Sequence, residues 1–165
     1  MRKVAERCYI PMNKLLLELI KEYGKQFKVA FSITGQAIEQ MELYAPAALD
    51  SFKELAATGC VEFLCETYAH SLAVLKDEAE FERQVRLHSE LIEWHFGQKP
   101  TAFRLTELVY SDEIGAKVAD LGFNTMLTEG AKHIMGWKSP NYIYTNTINS
   151  RLKVLLRNFR LSDDL

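Results

Sequence analysis

The feature that most constrains the fold is a pattern of helix-ending glycines that recurs four times along the chain. Each time, a helical pattern ends in glycine and a short apolar segment follows within a few residues. The four cases are Gly24 before 27–33, Gly59 before 60–64, Gly97 before 101–105 and Gly122 before 123–127. Glycine can end a helix at positive φ without a Cβ clash, which is typical of a loop from a helix to a strand. The repetition therefore predicts helices that alternate with strands.

The segments between the glycines have helical periods. After Pro11, apolar side chains recur in steps of three and one, at Met12, Leu15, Leu16, Leu19, Ile20 and Tyr23. The apolar segments are nearly continuous rather than alternating, which predicts strands that are buried on both faces. We expect an α/β fold with a parallel sheet curved like part of a barrel. The predicted strands lie near 27–33, 60–65, 101–106, 123–128, 141–145 and 153–157.

Length and composition favour a globular protein. The 165 residues are 48% hydrophobic and 25% charged, which suits one domain with a real core, so we assign 1–165 to a single domain. The net charge of −2 argues against a nucleic-acid partner. No apolar segment is long enough for a membrane span, and the start lacks the apolar core of a signal peptide. Three cysteines suit a reducing compartment, so we predict a cytoplasmic protein.

Polar side chains follow each of the first four predicted strands. Ser32 and Thr34 lie at the end of the first strand. Glu66 and His70 follow the second, Glu107 follows the third and Glu129 follows the fourth. In parallel α/β folds the active site lies at the carboxyl ends of the strands. Three carboxylates on one rim suit glycoside hydrolysis, which needs a nucleophile or base and a separate acid. The alternative is that these carboxylates only cap the following helices.

Several motifs together resemble glycoside hydrolase family 57, the α-amylase and 4-α-glucanotransferase family with an incomplete (β/α)7 barrel. They are GCVEFL at 59–64, ETYAHSL at 66–72, FRLTEL at 103–108, LTEG at 127–130 and GWKSPNY at 136–142. The resemblance implies an α-glucan or malto-oligosaccharide substrate, a retaining mechanism without a cofactor or metal, and Glu107 as the nucleophile. It also implies that Glu62, His70 and Trp137 lie near the sugar, and Glu66 and Glu129 join them as substrate-binding candidates.

The chain departs from the family pattern in two ways. Leu105 stands where amylase-like members usually have Asn. The family's first motif, His-Gln-Pro, and the motif with the general-acid aspartate do not occur in these residues. We therefore expect a central part of a larger catalytic domain, with little turnover by itself because the leaving oxygen receives no proton. Unclosed barrel edges would also favour self-association.

Other interpretations stay open. The chain could be an inactive remnant that keeps the fold and a carbohydrate-binding face. A polysaccharide deacetylase is a weaker alternative, because it needs an aspartate and two histidines at strand ends and only His70 is well placed. His88 shares a helix face with Val85 and Ile92, which favours a packed histidine over a metal ligand. Arg157, near the last predicted strand, is a candidate partner for Glu107.

Overall fold

The computed structural model describes residues 1–163 and shows an α/β protein. A π-helical segment, Ala5–Tyr9, joins the first two α-helices. The α-helices are α1 Arg2–Val4, α2 Ile10–Tyr23, α3 Gly35–Tyr44, α4 Pro46–Ala57, α5 Glu78–Phe96, α6 Asp112–Asp120, α7 Lys132–Met135 and α8 Phe159–Asp163. The strands are β1 Val29–Phe31, β2 Val61–Phe63, β3 Ala102–Arg104, β4 Thr125–Glu129, β5 Tyr144–Thr145 and β6 Lys153–Arg157. Every predicted strand region contains a strand, which confirms the α/β prediction.

The strands form two sheets. β1 and β2 pair in parallel, with Phe31 opposite Phe63. The second sheet has the order β3-β4-β6-β5, in which β3, β4 and β6 are parallel. β5 is antiparallel to β6, so the prediction of a wholly parallel sheet is wrong for this strand. Residues 146–152 alone connect the two strands, and a parallel crossover needs a dozen or more.

β2 and β6 are buried on one face only, so the prediction of burial on both faces is wrong for these strands, whereas the adjacent residues Ala102 and Phe103 of β3 are both buried. In β2, Val61 and Phe63 are buried whereas Glu62 between them is exposed. Its register partner in β1, Ala30, is exposed as well. Successive side chains of a strand point to opposite faces, and helices cover only one of those faces here. A nearly continuous apolar segment therefore does not by itself require cover on both sides.

Two compact units make up the chain. The first contains residues 1–70 and 83–100, and the second contains residues 71–82 and those from 101 onward. The assignment of residues 1–165 to a single domain stays a prediction.

Aromatic rings build the core of the first unit. Phe63 is 1% exposed, and its ring stacks on that of Phe96 with a centroid distance of 3.9 Å and an interplanar angle of 3°. Phe31 and Phe52 contact the same ring from other directions. Helices α2, α4 and α5 therefore pack around an aromatic centre on the covered face of β1 and β2.

The core of the second unit centres on Phe103 in β3. This ring is fully buried and makes aromatic contacts with Phe81 and Phe123. Met126 in β4 and Leu152 before β6 are also fully buried. These contacts anchor β3 and β4, whose carboxyl ends carry the polar residues predicted to be functional.

A buried asparagine secures the turn before β6. The Nδ2 group of Asn146 donates to the hydroxyl of Tyr110 and to the carbonyl of Asp112, each at 2.8 Å. Its Oδ1 atom accepts from the backbone N–H groups of Ile148 at 3.0 Å and Asn149 at 2.7 Å. Asn146 is 1% exposed, so these bonds are shielded from water. The turn is thereby tied to the start of α6.

Gly115 in α6 leaves the space that this asparagine needs. An alanine Cβ there would clash with Asn146 Nδ2 and lie 3.1 Å from a ring carbon of Tyr110. We expect Gly115→Ala to lower the free energy of unfolding by about 1–3 kcal/mol, as overpacking does, although alanine normally favours a helix. Urea unfolding measures the change. In an Asn146→Ala background the same substitution should be neutral or stabilising, and an equal loss there would contradict the packing explanation.

Candidate active site

The second unit contains a cavity of about 600 Å³ at the carboxyl ends of β3 and β4. Its lining includes two of the predicted carboxylates, Glu107 and Glu129. Tyr110, Asp112, Lys138 and Tyr144 also line it. The volume is within the range of small-molecule sites. The cavity therefore brings carboxylates, hydroxyls and one ammonium group to a common space.

Glu107 lies on a turn with an unusual backbone. β3 ends at Arg104, and a 3-10 turn follows at Thr106–Leu108. Glu107 has φ 55° and Leu108 has φ 54°, both in the left-handed region. For residues other than glycine this conformation costs roughly 1–2 kcal/mol each. Strain of this kind concentrates at functional sites, where the surrounding structure maintains it.

Hydrogen bonds hold this turn in place. The Thr128 hydroxyl, from β4, donates to the Leu108 carbonyl at 2.7 Å. The Leu108 N–H donates to the Leu105 carbonyl at 3.0 Å. Because the strand ends before Glu107, strand alternation does not determine where this carboxylate points. The turn sets its direction.

Glu129, at the end of β4, forms an ion pair with Arg157. Arg157 Nη1 lies 3.2 Å from Glu129 Oε2, and the two residues are register partners in β4 and β6. Both side chains are about one-third exposed. The structure thus places Arg157, predicted as a partner of Glu107, in contact with Glu129, another carboxylate of the cavity.

Tyr110 and Asp112 form a polar wall of the cavity, which the sequence analysis did not predict. Burial, above all, raises the pKa of Tyr110 to about 12, and its hydroxyl donates to Asp112 Oδ1 at 2.8 Å. The Thr147 hydroxyl, together with that of Tyr110, lowers the pKa of Asp112. The wall therefore presents a neutral phenol beside an ionised carboxylate. The sequence signal here was only a helix start, and Ser111 indeed caps α6 by accepting from the Ile114 N–H.

Glu66, another predicted site residue, is buried in the first unit. It is 1% exposed and follows β2. Its Oε1 atom accepts from the Ser32 hydroxyl at 2.6 Å, and its Oε2 atom lies 2.9 Å from His70 Nδ1. Parallel pairing of β1 and β2 brings Ser32 and Glu66 together, since both residues follow the ends of neighbouring strands.

His88, on α5, supports the backbone beside this carboxylate. Its Nδ1 atom accepts from the Glu66 N–H at 3.2 Å, and its Nε2 atom lies 2.8 Å from the Ile33 carbonyl. A carbonyl only accepts, so Nε2 carries the proton and the ring is neutral. His88 is fully buried, in agreement with the prediction of a packed histidine. Burial, as the largest cause, lowers its pKa.

The His88 environment predicts acid sensitivity. Unfolded His88 takes up a proton near the ordinary pKa of 6.5, whereas the folded residue does so only at lower pH. Because the unfolded state binds more protons in that window, the free energy of unfolding should fall as pH drops below about 6.5. Thermal melts at a series of pH values below about 6.5 should show this loss of stability. In His88→Asn the stability should depend less on pH. The control is His95→Asn, which changes a half-buried histidine on the same helix and should leave most of the pH dependence unchanged. Identical pH profiles for wild type and His88→Asn would contradict the role of His88 in this pH dependence.

Two other predicted residues lie on exposed surfaces. Glu62 lies in a strand predicted to be buried on both faces, but its side chain is exposed. It lines a cavity of about 320 Å³ together with Ala30. Trp137 is 93% exposed after α7. An exposed indole is available for stacking, although Trp137 is outside the lining of the Glu107 cavity.

Within 1–163, no three His, Cys, Asp or Glu side chains are grouped so that they could hold a metal ion. None of the helices in this part of the chain combines the length and apolar character that crossing a membrane requires.

Comparisons with known proteins place these features in a family. Over 164 residues, the chain is 48% identical to the "Putative alpha-amylase" of Methanocaldococcus jannaschii; the match covers 99% of this chain and 34% of that protein. The chain thus spans about one-third of the length of this curated relative.

Solved structures show the same fold. The 4-alpha-glucanotransferase from Thermococcus litoralis matches with a TM-score of 0.81 at 18% identity, over 100% of this chain and 26% of that one. The GH57-type branching enzyme from Pyrococcus horikoshii matches with a TM-score of 0.72 at 20% identity, over 92% and 41% of the two chains. The profile of Glycosyl hydrolase family 57 covers residues 1–165. The α/β fold, the motifs and this full-length match lead to one conclusion: the chain belongs to glycosyl hydrolase family 57.

Proposed function

We propose that the protein acts on α-glucans as a retaining glycosidase or transglycosylase, with Glu107 as its nucleophile. The observation that carries this proposal is the position of Glu107. It occupies a left-handed turn at the carboxyl end of β3 and lines a cavity of about 600 Å³. Membership in the family and the names of its relatives support the substrate class.

The reaction takes two steps, and in each of them one bond at the anomeric carbon forms while another breaks. A Glu107 carboxylate oxygen attacks the anomeric carbon while the bond from that carbon to the leaving oxygen breaks. The leaving oxygen takes a proton from a general acid, which the family resemblance assigns to an aspartate motif that is not among these residues. Water or a sugar hydroxyl then attacks the anomeric carbon, and the bond from that carbon to Glu107 breaks. The attacking hydroxyl gives its proton to the same aspartate, which acts as the base in this step. This chain by itself is therefore expected to turn over little.

The remaining predicted residues have binding roles in this proposal. Glu129, paired with Arg157, lines the same cavity as Glu107 and can accept hydrogen bonds from sugar hydroxyls. Glu62 and Trp137 are exposed, so they can contact a glucan, Trp137 by stacking. His70 is a further binding residue, and Glu66 contributes through it.

A trapping experiment tests the nucleophile. An active protein that contains this chain is incubated with a slowly reacting fluorinated α-glucosyl donor, digested and analysed by mass spectrometry. The sugar should be attached to Glu107, and Glu113→Gln, which changes an exposed carboxylate at the start of α6, should label normally. A sugar on another carboxylate would remove Glu107 from this role. Malto-oligosaccharide binding without any trapping would instead favour a carbohydrate-binding remnant.

Self-association is a separate expectation. The described residues expose several large apolar side chains, among them Trp94, Ile134, Trp137 and Ile143. Exposed apolar surface of this kind promotes contact between copies. Sedimentation velocity should show a sedimentation coefficient that rises with protein concentration. A monomer at every concentration, with no binding of an apolar dye, would contradict the expectation.

A further inference from the structure

A second cavity, of about 300 Å³, lies beside the Glu107 cavity in the second unit. Its walls come from residues between Gly130 and Asn141 and from the residues that follow β6, 158–160. Lys138 and Met135 line both cavities, so the two spaces are neighbours. The volume is large enough for one small polar group and part of a sugar ring.

The charged side chains in the lining of this second cavity are all cations: Lys132, Lys138 and Arg160. The described part of the lining contains no aspartate or glutamate, although acidic residues outnumber basic ones by 22 to 20 in the chain. Among the residues that the structure describes, neither Lys132 nor Lys138 forms an ion pair. Like charges repel, so three cations around one small space favour an anion there. We call this space the basic cavity.

The neutral polar groups of the basic cavity are oriented as donors. The Leu161 N–H donates to Asn158 Oδ1 at 3.4 Å, and Asn158 Nδ2 donates to Asn141 Oδ1 at 3.0 Å. These two bonds leave the Nδ2 group of Asn141 to donate elsewhere. The Ser139 oxygen accepts from the Asn141 N–H at 3.2 Å, so its hydroxyl proton can serve another acceptor. The cavity therefore combines positive charge with N–H and O–H donors, which suits a ligand rich in acceptor oxygens.

We propose that the basic cavity binds the phosphate monoester group of a phosphorylated sugar or glucan, whose sugar part reaches into the neighbouring Glu107 cavity. A phosphate monoester has a charge of about −1.5 to −2 near neutral pH, and its terminal oxygens accept strong hydrogen bonds. These oxygens match the ammonium, guanidinium, amide and hydroxyl donors of the lining. A neutral sugar alone would leave the cations without a counter-charge. The sugar part of this proposal rests on the function proposed above, whereas the phosphate contact does not.

The phosphate contact is tested by NMR titration of the full chain with inorganic phosphate, followed through the backbone amide signals. The signals of Lys132, Ser139 and Asn141 should move and reach saturation. The double variant Lys132→Gln/Lys138→Gln should weaken the affinity about tenfold, the combined effect of two ion pairs near the surface. The control is Lys153→Gln, which removes an exposed cation of β6 outside the lining and should bind as wild type does. Signals that do not move in wild type, or an unchanged affinity in the double variant, would overturn the phosphate site.

Titrations with glucose 6-phosphate and with glucose separate the two parts of the proposal. Glucose 6-phosphate should bind about tenfold more tightly than inorganic phosphate, the size of one added hydrogen bond, and should also move the amide signal of Tyr110 in the Glu107 cavity. Equal affinities for the two phosphates, with the Tyr110 signal unmoved, would overturn the sugar part alone. Glucose that moves the Lys132 signal as strongly as its phosphate does would overturn the preference for an anion. None of these outcomes depends on Glu107 as the nucleophile, which the trapping experiment tests separately.

Discussion

Replacing Glu107 with glutamine should lower kcat by roughly 10³-fold or more, while the affinity for malto-oligosaccharides changes little. Glutamine keeps the size and shape of the side chain but has no negative charge with which to form the glycosyl-enzyme. The loss is confined to the transition state, because the ground state needs only the shape and the hydrogen-bonding capacity of this group.

The measurement compares kcat and oligosaccharide affinity in an active protein that contains the chain. Glu113→Gln is the matched control, since it neutralises a nearby exposed carboxylate on α6 and should keep normal turnover. A near-normal kcat in Glu107→Gln would exclude Glu107 as the nucleophile. A loss of affinity as large as the loss of kcat would indicate a binding role or a collapse of the left-handed turn, so circular dichroism of the variant accompanies the kinetics.

The second large effect is expected in the core of the first unit. Phe63→Ala should lower the free energy of unfolding by about 3–5 kcal/mol, the usual cost of removing a buried phenylalanine. The ring is 1% exposed and stacks on Phe96 at 3.9 Å, so its loss opens a cavity between β2 and α5. The surrounding aromatic rings, Phe31 and Phe52, are too rigid to fill that space without leaving their own contacts.

Urea unfolding followed by circular dichroism measures this effect. Leu43→Ala serves as the control, because Leu43 is 71% exposed on α3 and its truncation should change stability by about 0.5 kcal/mol or less. A Phe63→Ala variant as stable as the Leu43→Ala variant would show that the aromatic stack does not support the sheet.

The local sequence predicts the alternation of helices and strands well, for a physical reason. The four helix-ending glycines all have positive φ, as that pattern predicts: Gly24, Gly59, Gly97 and Gly122. Helix periods and glycine termini depend on neighbouring residues, so they can be read along the chain. The direction of β5 could not be read in this way, because it depends on pairing with β6 and on the bonds from Asn146 to Tyr110 and Asp112, which lie far away along the chain.

The features of the candidate site likewise divide into those that the local sequence indicates and those that only the tertiary structure reveals. The motifs identified Glu107, Glu66 and His70 as candidates for function, and these residues follow the ends of strands. Only the tertiary structure shows that Glu66 is bound to Ser32, 34 residues earlier, and that Arg157 pairs with Glu129, 28 residues before it. Contacts of such separation follow from strand register, which no local pattern encodes.

The sequence by itself therefore determined the family and the α/β class, and it led to the proposal of Glu107 as the nucleophile. The tertiary structure decided which side of each strand is covered, how the Glu107 turn is held, and which carboxylate meets which partner. The physical reason is that backbone preferences act over a few residues, whereas burial and hydrogen bonding depend on what the packed chain brings alongside. Glu62 illustrates this, since its neighbours in sequence are buried and its own side chain is exposed.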